Sequence, residues 1–436
     1  MTKFKKKLDL LAEYFSSSEC SEDERKLGIE LEHFVVGTET LKATSYPEEK
    51  GIETLLRALA NRNWEPKLER EHVIGLKGER AEVGLEPGGQ LELSVLPRSS
   101  VSDLETIYLD FVKEVISILK DWDKSLLCLG YQPESTVDEI PIIPKERYNY
   151  MYDYFGNKGK YAYNMMKATG AIHVNLDYFS ERDYVKKNLV ANVLSPLVYT
   201  VLDNSPYFEG EISDENGLRR LIWENCDTVR CGYPAGLFDG EFGYTNYAEY
   251  LLKTPPMVYK KEGKLVYSKN KLLEDIFLED IDPTREELDY LLTTVFPDVR
   301  TKDHLEIRMG DSLPYPYSFA YLAFWKGLLY DEDNLTELYD KYEDVTEKEF
   351  LDRKRCLTER GTDAKWGEKD LFSAYRDLLE LASEGLEPEE REYLEPLIEL
   401  AEKRITPKRK TLGSSDKGKV KALSWCNMNE IINQEE

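Results

Sequence analysis

Four short stretches of the chain alternate apolar and polar residues with a period of two, the mark of strands with one buried and one polar face. In 27–36 (LGIELEHFVV), Leu27, Ile29 and Leu31 share one face, while Glu30 and Glu32 share the other. In 84–97 (GLEPGGQLELSVLP), Leu91, Leu93 and Val95 oppose Glu86, Gln90, Glu92 and Ser94. In 171–177 (AIHVNLD), Ile172, Val174 and Leu176 oppose His173, Asn175 and Asp177; in 304–311 (HLEIRMGD), Leu305 and Ile307 oppose His304, Glu306 and Arg308. Pro87 and two glycines inside the second stretch remove a ladder donor and cost backbone entropy, so a ligand is expected to approach the backbone there.

Elsewhere the apolar period lengthens to that of a helix. Over 102–122, Leu104, Ile107, Tyr108, Phe111, Val115 and Ile118 fall on one side, and Ser102 with Glu105 reads as an N-terminal cap. Stretches 367–384 and 388–404 repeat the pattern, with Gly385 closing the first, which predicts a helical pair over about 366–405. After Thr406-Pro407 the composition turns to Lys, Gly and Ser, so 406–436 is expected to be a basic, loosely ordered tail able to carry Trp425 back onto the body. No repeat or linker divides 1–405, which reads as one catalytic domain of α+β class.

Charge narrows the partners. The 436 residues carry 58 Lys+Arg against 84 Asp+Glu, a formal −26, which disfavours nucleic acid and anionic membrane and favours small molecules or metal ions. The N-terminal KKK is followed by too short and too charged a run for a secretory signal, and no stretch is apolar enough to span a bilayer. Six scattered cysteines (20, 128, 226, 231, 356, 426) suggest neither a zinc site nor a disulfide framework, so a reducing cytosol is the expected location.

If the four strands share a sheet, Glu30, Glu32, Glu86, Glu92, His173 and Glu306 converge, and so many carboxylates repel unless cations lie between them. Oxygen-loving divalent ions, above all more than one magnesium, fit that role. Taken singly, each strand suits a solvated face at least as well, and each of Arg147, Arg219, Arg230 and Arg308, as a lone arginine in an acidic chain, better suits an exposed or ion-paired place. Together, metal and arginine point to phosphoryl transfer, in which equatorial oxygens are neutralised and no protein nucleophile is needed. P-loop, dinucleotide-binding and GxSxG motifs are absent. His72 reads as a surface or packing residue, and Cys226 and Cys231 as ordinary thiols.

The segments GIELEHF, GLEPGGQLELS, RYNYMYDYF, MMKATGAIHVNLD, IWENCDTVRCG, LTTVFPDVRTKDHLEIRMGD and AFWKGLLYD resemble, in this order, the plant and bacterial branch of the glutamate–cysteine ligases. The resemblance implies a glutamine-synthetase-like fold with a mainly antiparallel sheet of about six strands, an acidic metal-binding face and helices outside. It implies ATP-dependent joining of the glutamate γ-carboxylate to the amine of cysteine through γ-glutamyl phosphate, the first step of glutathione-type thiol synthesis. Glu30, Glu32, Glu86, Glu92 and Glu306 are similar to family magnesium ligands, and His173 is matched to a ligand in some branches. Glu92, Glu306 and Arg308 carry the implied catalysis. Gln90, Asn175, Arg147, Arg219, Arg230 and Arg308 are the implied substrate and nucleotide contacts. Departures from the family are His173 where plant members usually have Gln, His33 in place of a frequent Lys, and Ser312-Leu313-Pro314 in place of Gly-Gly-Pro; the last is expected near the acceptor and leaves open a different amine. A silent metal- or nucleotide-binding relative is a third possibility, and the redox disulfides of plant members have no counterpart among these cysteines.

Overall fold

The computed structural model describes residues 3–279 and 283–435. Its centre is one antiparallel sheet of nine strands: β1 (Leu27–Gly37), β2 (Glu65–Glu69), β3 (His72–Lys77), β4 (Ala81–Leu85), β5 (Leu91–Arg98), β6 (Lys124–Leu127), β7 (Ala171–Leu176), β8 (Val299–Thr301) and β9 (Leu305–Asp311). Their order is β8-β9-β7-β1-β5-β4-β3-β2, with β6 on the far half of β1. The sheet is wider than the six strands expected. The charged hairpin β2–β3 and the short β6 and β8 carry too little alternation to be read as strands.

The period-two pattern is realised residue by residue. Leu27, Ile29, Leu31, Leu91, Leu93, Val95, Ile172, Val174, Leu176, Leu305 and Ile307 are all buried on one face. Helices Val101–Leu119, Glu181–Val201 and Tyr317–Leu329 cover that face, packing on β5, β9 and β7. The cap of the first is Ser100, whose hydroxyl accepts from the amide of Asp103, and not Ser102. Leu371–Glu384 forms the first helix of the C-terminal pair; the second begins as a 3-10 helix, Pro388–Leu394, before Glu395–Lys403.

Two expectations change. EPGGQ is the turn between β4 and β5, not mid-strand: the Glu86 amide donates to the Gln90 carbonyl (3.0 Å), and Gly89 sits at φ +88°. Its close neighbour is protein rather than ligand, since a Cβ on Gly88 would meet the Lys167 carbonyl oxygen at 2.1 Å. The tail is also folded. Pro407–Leu412 and Met428–Glu435 are helical, Asn427 bridges to Leu127, and the Asn429 side chain bonds the Leu126 amide and the Lys124 carbonyl, so the tail docks on β6. Trp425 is held by Thr411 and by Lys410 over its ring. The polar residues of this segment hid the few apolar ones, Leu412, Leu423 and Cys426, that pack against Phe34 and Leu127.

Candidate active site

The face opposite the apolar core gathers the acid. Across the ladder Glu30 lies opposite His173, Glu32 opposite Glu92, and Glu306 opposite both Asn175 and Arg300. Between Ile307 and Gly310, β9 carries one residue more than β7 opposite it, a bulge at Arg308 and Met309. Arg219 donates to both bulge carbonyls, at 3.2 Å each, and the Arg308 guanidinium turns onto Glu306 at 2.6 Å.

Over this face, residues of Glu146–Phe155, Ala162–Ala168 and Leu218–Glu224 close a cleft of about 240 Å³. Glu30, Glu32, Glu86, Glu92, His173, Arg147, Arg219 and Arg308 line it, as the sequence led us to expect. Lys145, Tyr148, Trp223, Arg300 and the methionines Met151, Met165 and Met166 also line it, and were not foreseen. Arg300 was legible in principle, because the alternation that marks β9 runs back across a tight turn into VRT. Lys145 lies in an irregular segment, where no period marks its side.

Two trios offer donor atoms within 4.8 Å of one another: Glu30, His173 and Glu306, and Glu32, Glu92 and His173. The His173 Nδ1 lies 2.9 Å from Glu30 Oε2, while its Nε2, buried without a hydrogen-bond partner, lies 4.0 Å from Glu32 Oε1. Burial, then Arg308, hold this imidazole down at about 4, so it is neutral and has a lone pair to give. Carboxylates with one imidazole suit a hard divalent ion, and the orphaned nitrogen is the kind of atom such an ion satisfies.

The two trios differ electrically. Burial, reinforced by Glu86, pushes Glu32 up to about 8 against the pull of Arg219 and Arg308. Burial, then the charges of Glu30, Glu86 and Glu32, raise Glu92 well above the usual carboxylate range. Glu306 moves the other way: burial opposes its charge, but Arg300, Lys302 and Arg308 hold it well below that range. Asn175 supports Glu30 at 3.0 Å, and the Ala171 amide donates to Glu32 at 2.8 Å.

Asn175, expected at the substrate, does not line the cleft but donates to Glu30, and Glu306 is fully buried behind the lining; three further expectations are corrected. Gln90 is a clasp for the turn, taking the Gly88 amide and donating to the Thr169 carbonyl, and does not line the cleft. Arg230 is fully buried away from the cleft and spends its donors on Asp227, Tyr154, and the carbonyls of Thr294 and Pro255. Ser312-Leu313-Pro314 also lies off the cleft lining; Ser312 donates to the backbone oxygen of Glu32 from within the core. His33 belongs to the apolar face, where it bonds the Leu91 carbonyl and the Tyr108 hydroxyl.

The model of glutamate-cysteine ligase family 2 matches residues 26–424. The chloroplastic glutamate–cysteine ligase of Arabidopsis thaliana is 32% identical over 416 residues, covering 93% of this chain and 78% of that one. The chloroplastic glutamate–cysteine ligase B of Oryza sativa subsp. japonica is 33% identical over 397 residues, covering 89% and 79%. In fold, the chain is similar to the glutamate–cysteine ligase of Francisella tularensis crystallised with AMP, with a TM-score of 0.55 and 14% identity over 94% of this chain and 88% of that one. It is also similar to a bifunctional glutathione synthetase from Pasteurella multocida, with a TM-score of 0.50 and 14% identity over 98% and 53%. The relatives' chloroplastic names overturn the cytosolic location expected from the cysteines and the N-terminus. With the family model covering most of its length and plant relatives above 30% identity, the chain belongs to glutamate-cysteine ligase family 2.

Proposed function

We infer that the protein joins the γ-carboxylate of glutamate to the amine of cysteine with ATP as co-substrate, through γ-glutamyl phosphate. The observation that carries this reading is the pair of carboxylate–histidine trios gathered on one sheet face, beneath a cleft that Arg308 and Arg219 line. Magnesium held by Glu32, Glu92 and His173 on one side, with Glu86 lining the same cleft, and by Glu30, His173 and Glu306 on the other would supply positive charge for the phosphates.

The chain's own residues do the rest. Arg308 offers a planar fork to the group being transferred, and its bulge, pinned by Arg219, fixes the direction of that fork. Arg147, anchored on Thr293 and over the Tyr290 ring, keeps a buried Nε without a hydrogen-bond partner, which suits the α-carboxylate of glutamate. Asn175 and the Ala171 amide hold Glu30 and Glu32 in place. Met151, Met165, Met166 and Tyr148 narrow the cleft and exclude water from an acyl phosphate that would otherwise hydrolyse. The cysteine amine then attacks the acyl carbon, a cleft carboxylate accepts its proton, and phosphate leaves. Gathering three reactants in one dry cleft removes several kcal/mol of barrier on its own, of the roughly 7–11 kcal/mol that proximity can supply.

The relatives' names support a plastid location. The amine is tested by ADP release from purified protein with ATP, magnesium and glutamate across a panel of amines. Cysteine should stimulate release far above the rest; stimulation by another amine alone would keep the phosphoryl chemistry and replace the acceptor.

A further inference from the structure

The two metal trios share one face but not one state of charge. Glu306 is fully buried and already carries three cations: Arg300 at 2.8 Å, Lys302 at 3.0 Å and Arg308 at 2.6 Å. Glu30 stands beside it, and three positive side chains already bond the one Glu306 carboxylate. Adding a divalent ion there without removing a cation would set two more positive charges beside the three already on Glu306 in a buried place, which Coulomb repulsion in a poorly screened medium opposes. The other half of the face is different, since Glu32, Glu86 and Glu92 crowd one another, with Arg219 and Arg308 acting on Glu32 and Lys145 on Glu92.

Of the three cations on Glu306, one is built to leave. Arg300 grips the carboxylate with two nitrogens and also donates to the Val295 carbonyl. Arg308 stands on the pinned bulge, 6.0 Å above the rings of Trp223 and Phe296. Lys302 reaches Glu306 with a single nitrogen from the β8–β9 turn, and its side chain is 20% exposed against 9% and 11% for the arginines. Its backbone is held by the His304 carbonyl and the Tyr178 hydroxyl, so the side chain alone can swing.

We propose that Lys302 is a built-in counter-cation that competes with a divalent ion for Glu306, so that the two metal positions fill unequally, the Glu32–Glu92 position first. The Glu30–His173–Glu306 position fills only as the Lys302 ammonium withdraws to solvent or to an anionic substrate. This rests on the metal reading of the site and adds to it an order of filling and the residue that sets it.

The test is Mn²⁺ binding to the full chain without nucleotide, followed by electron paramagnetic resonance, in the wild type, Lys302→Met and Lys302→Arg. The wild type should hold one ion tightly and a second weakly. Lys302→Met should tighten the second by roughly tenfold or more with the first unmoved, while Lys302→Arg keeps the second weak. On the native chain, the rate of Lys302 acetylation, read by mass spectrometry, should rise as the second ion binds, which needs no variant to fold. Equal second-site affinity in wild type and Lys302→Met, or a Lys302 rate indifferent to Mn²⁺, would overturn the proposal while leaving the metals in place. No bound Mn²⁺ at all would remove the metal reading and this proposal with it.

Discussion

Glu92 and Glu306 are both buried carboxylates of the acidic face, yet their surroundings make opposite demands. Glu92 is repelled by Glu30, Glu86 and Glu32, so Glu92→Gln should abolish activity while the melting temperature stays level or rises. Glu306 neutralises Arg300, Lys302 and Arg308, so Glu306→Gln should abolish activity and also destabilise the fold by roughly 3–5 kcal/mol, because it leaves buried cations unpaired. Thermal melts of the two variants beside a turnover assay check this; an equal loss of stability in both would show that the charges are not arranged as described. At this scale the sequence was legible where period two set the face, as at Glu30, Glu32, Glu92, His173, Glu306 and Arg308. It was not legible for Gln90 and Arg230. A polar side chain can bond its own turn or clamp a core as readily as a ligand, and only the partners in space tell which.

The elements that aim these residues are irregular ones. The β4–β5 turn brings Glu86 to the cleft rim, and Gly88 passes so near the Lys167 carbonyl that a methyl group has no room. Gly88→Ala should therefore cost roughly 1–3 kcal/mol of stability and, by moving Glu86, reduce activity in the molecules that remain folded. Urea titration with turnover normalised to folded protein measures both, and a variant as stable and as active as wild type would contradict the tight approach. The bulge in β9 escaped the sequence reading because alternation continues through IRMGD as if the strand were regular; the extra residue shows only against β7. The tail escaped for the opposite reason. Its composition resembles a linker, and its docking depends on a strand edge, β6, that is four residues long.

For the molecule as a whole, burying so many carboxylates on one face makes stability depend on pH, and on the divalent ion proposed for that face. Glu32 is raised from an ordinary 4.5 to about 8, and Glu92 is shifted in the same direction. Within that window the native chain keeps a proton that the unfolded chain has released, so these two groups make the fold less stable as pH rises through it. A divalent ion favours the ionised carboxylates, so its stabilisation grows over the same window. The rise in melting temperature on adding magnesium to chelator-treated protein should therefore be larger at about pH 8 than at about pH 6; a rise independent of pH would mean that the ion does not engage these carboxylates. Fold class and family were legible at this scale because several motifs agree in order along the chain, whereas the width of the sheet was not, since its outer strands are short or charged.

The most direct measurement is the fate of oxygen-18 placed in the γ-carboxyl group of glutamate and followed by mass spectrometry in a reaction with ATP, magnesium and cysteine. Transfer of a carboxylate oxygen through an acyl phosphate requires one labelled oxygen in the phosphate released for each γ-glutamylcysteine formed. Product accompanied by unlabelled phosphate would contradict the phosphorylation of glutamate at this face.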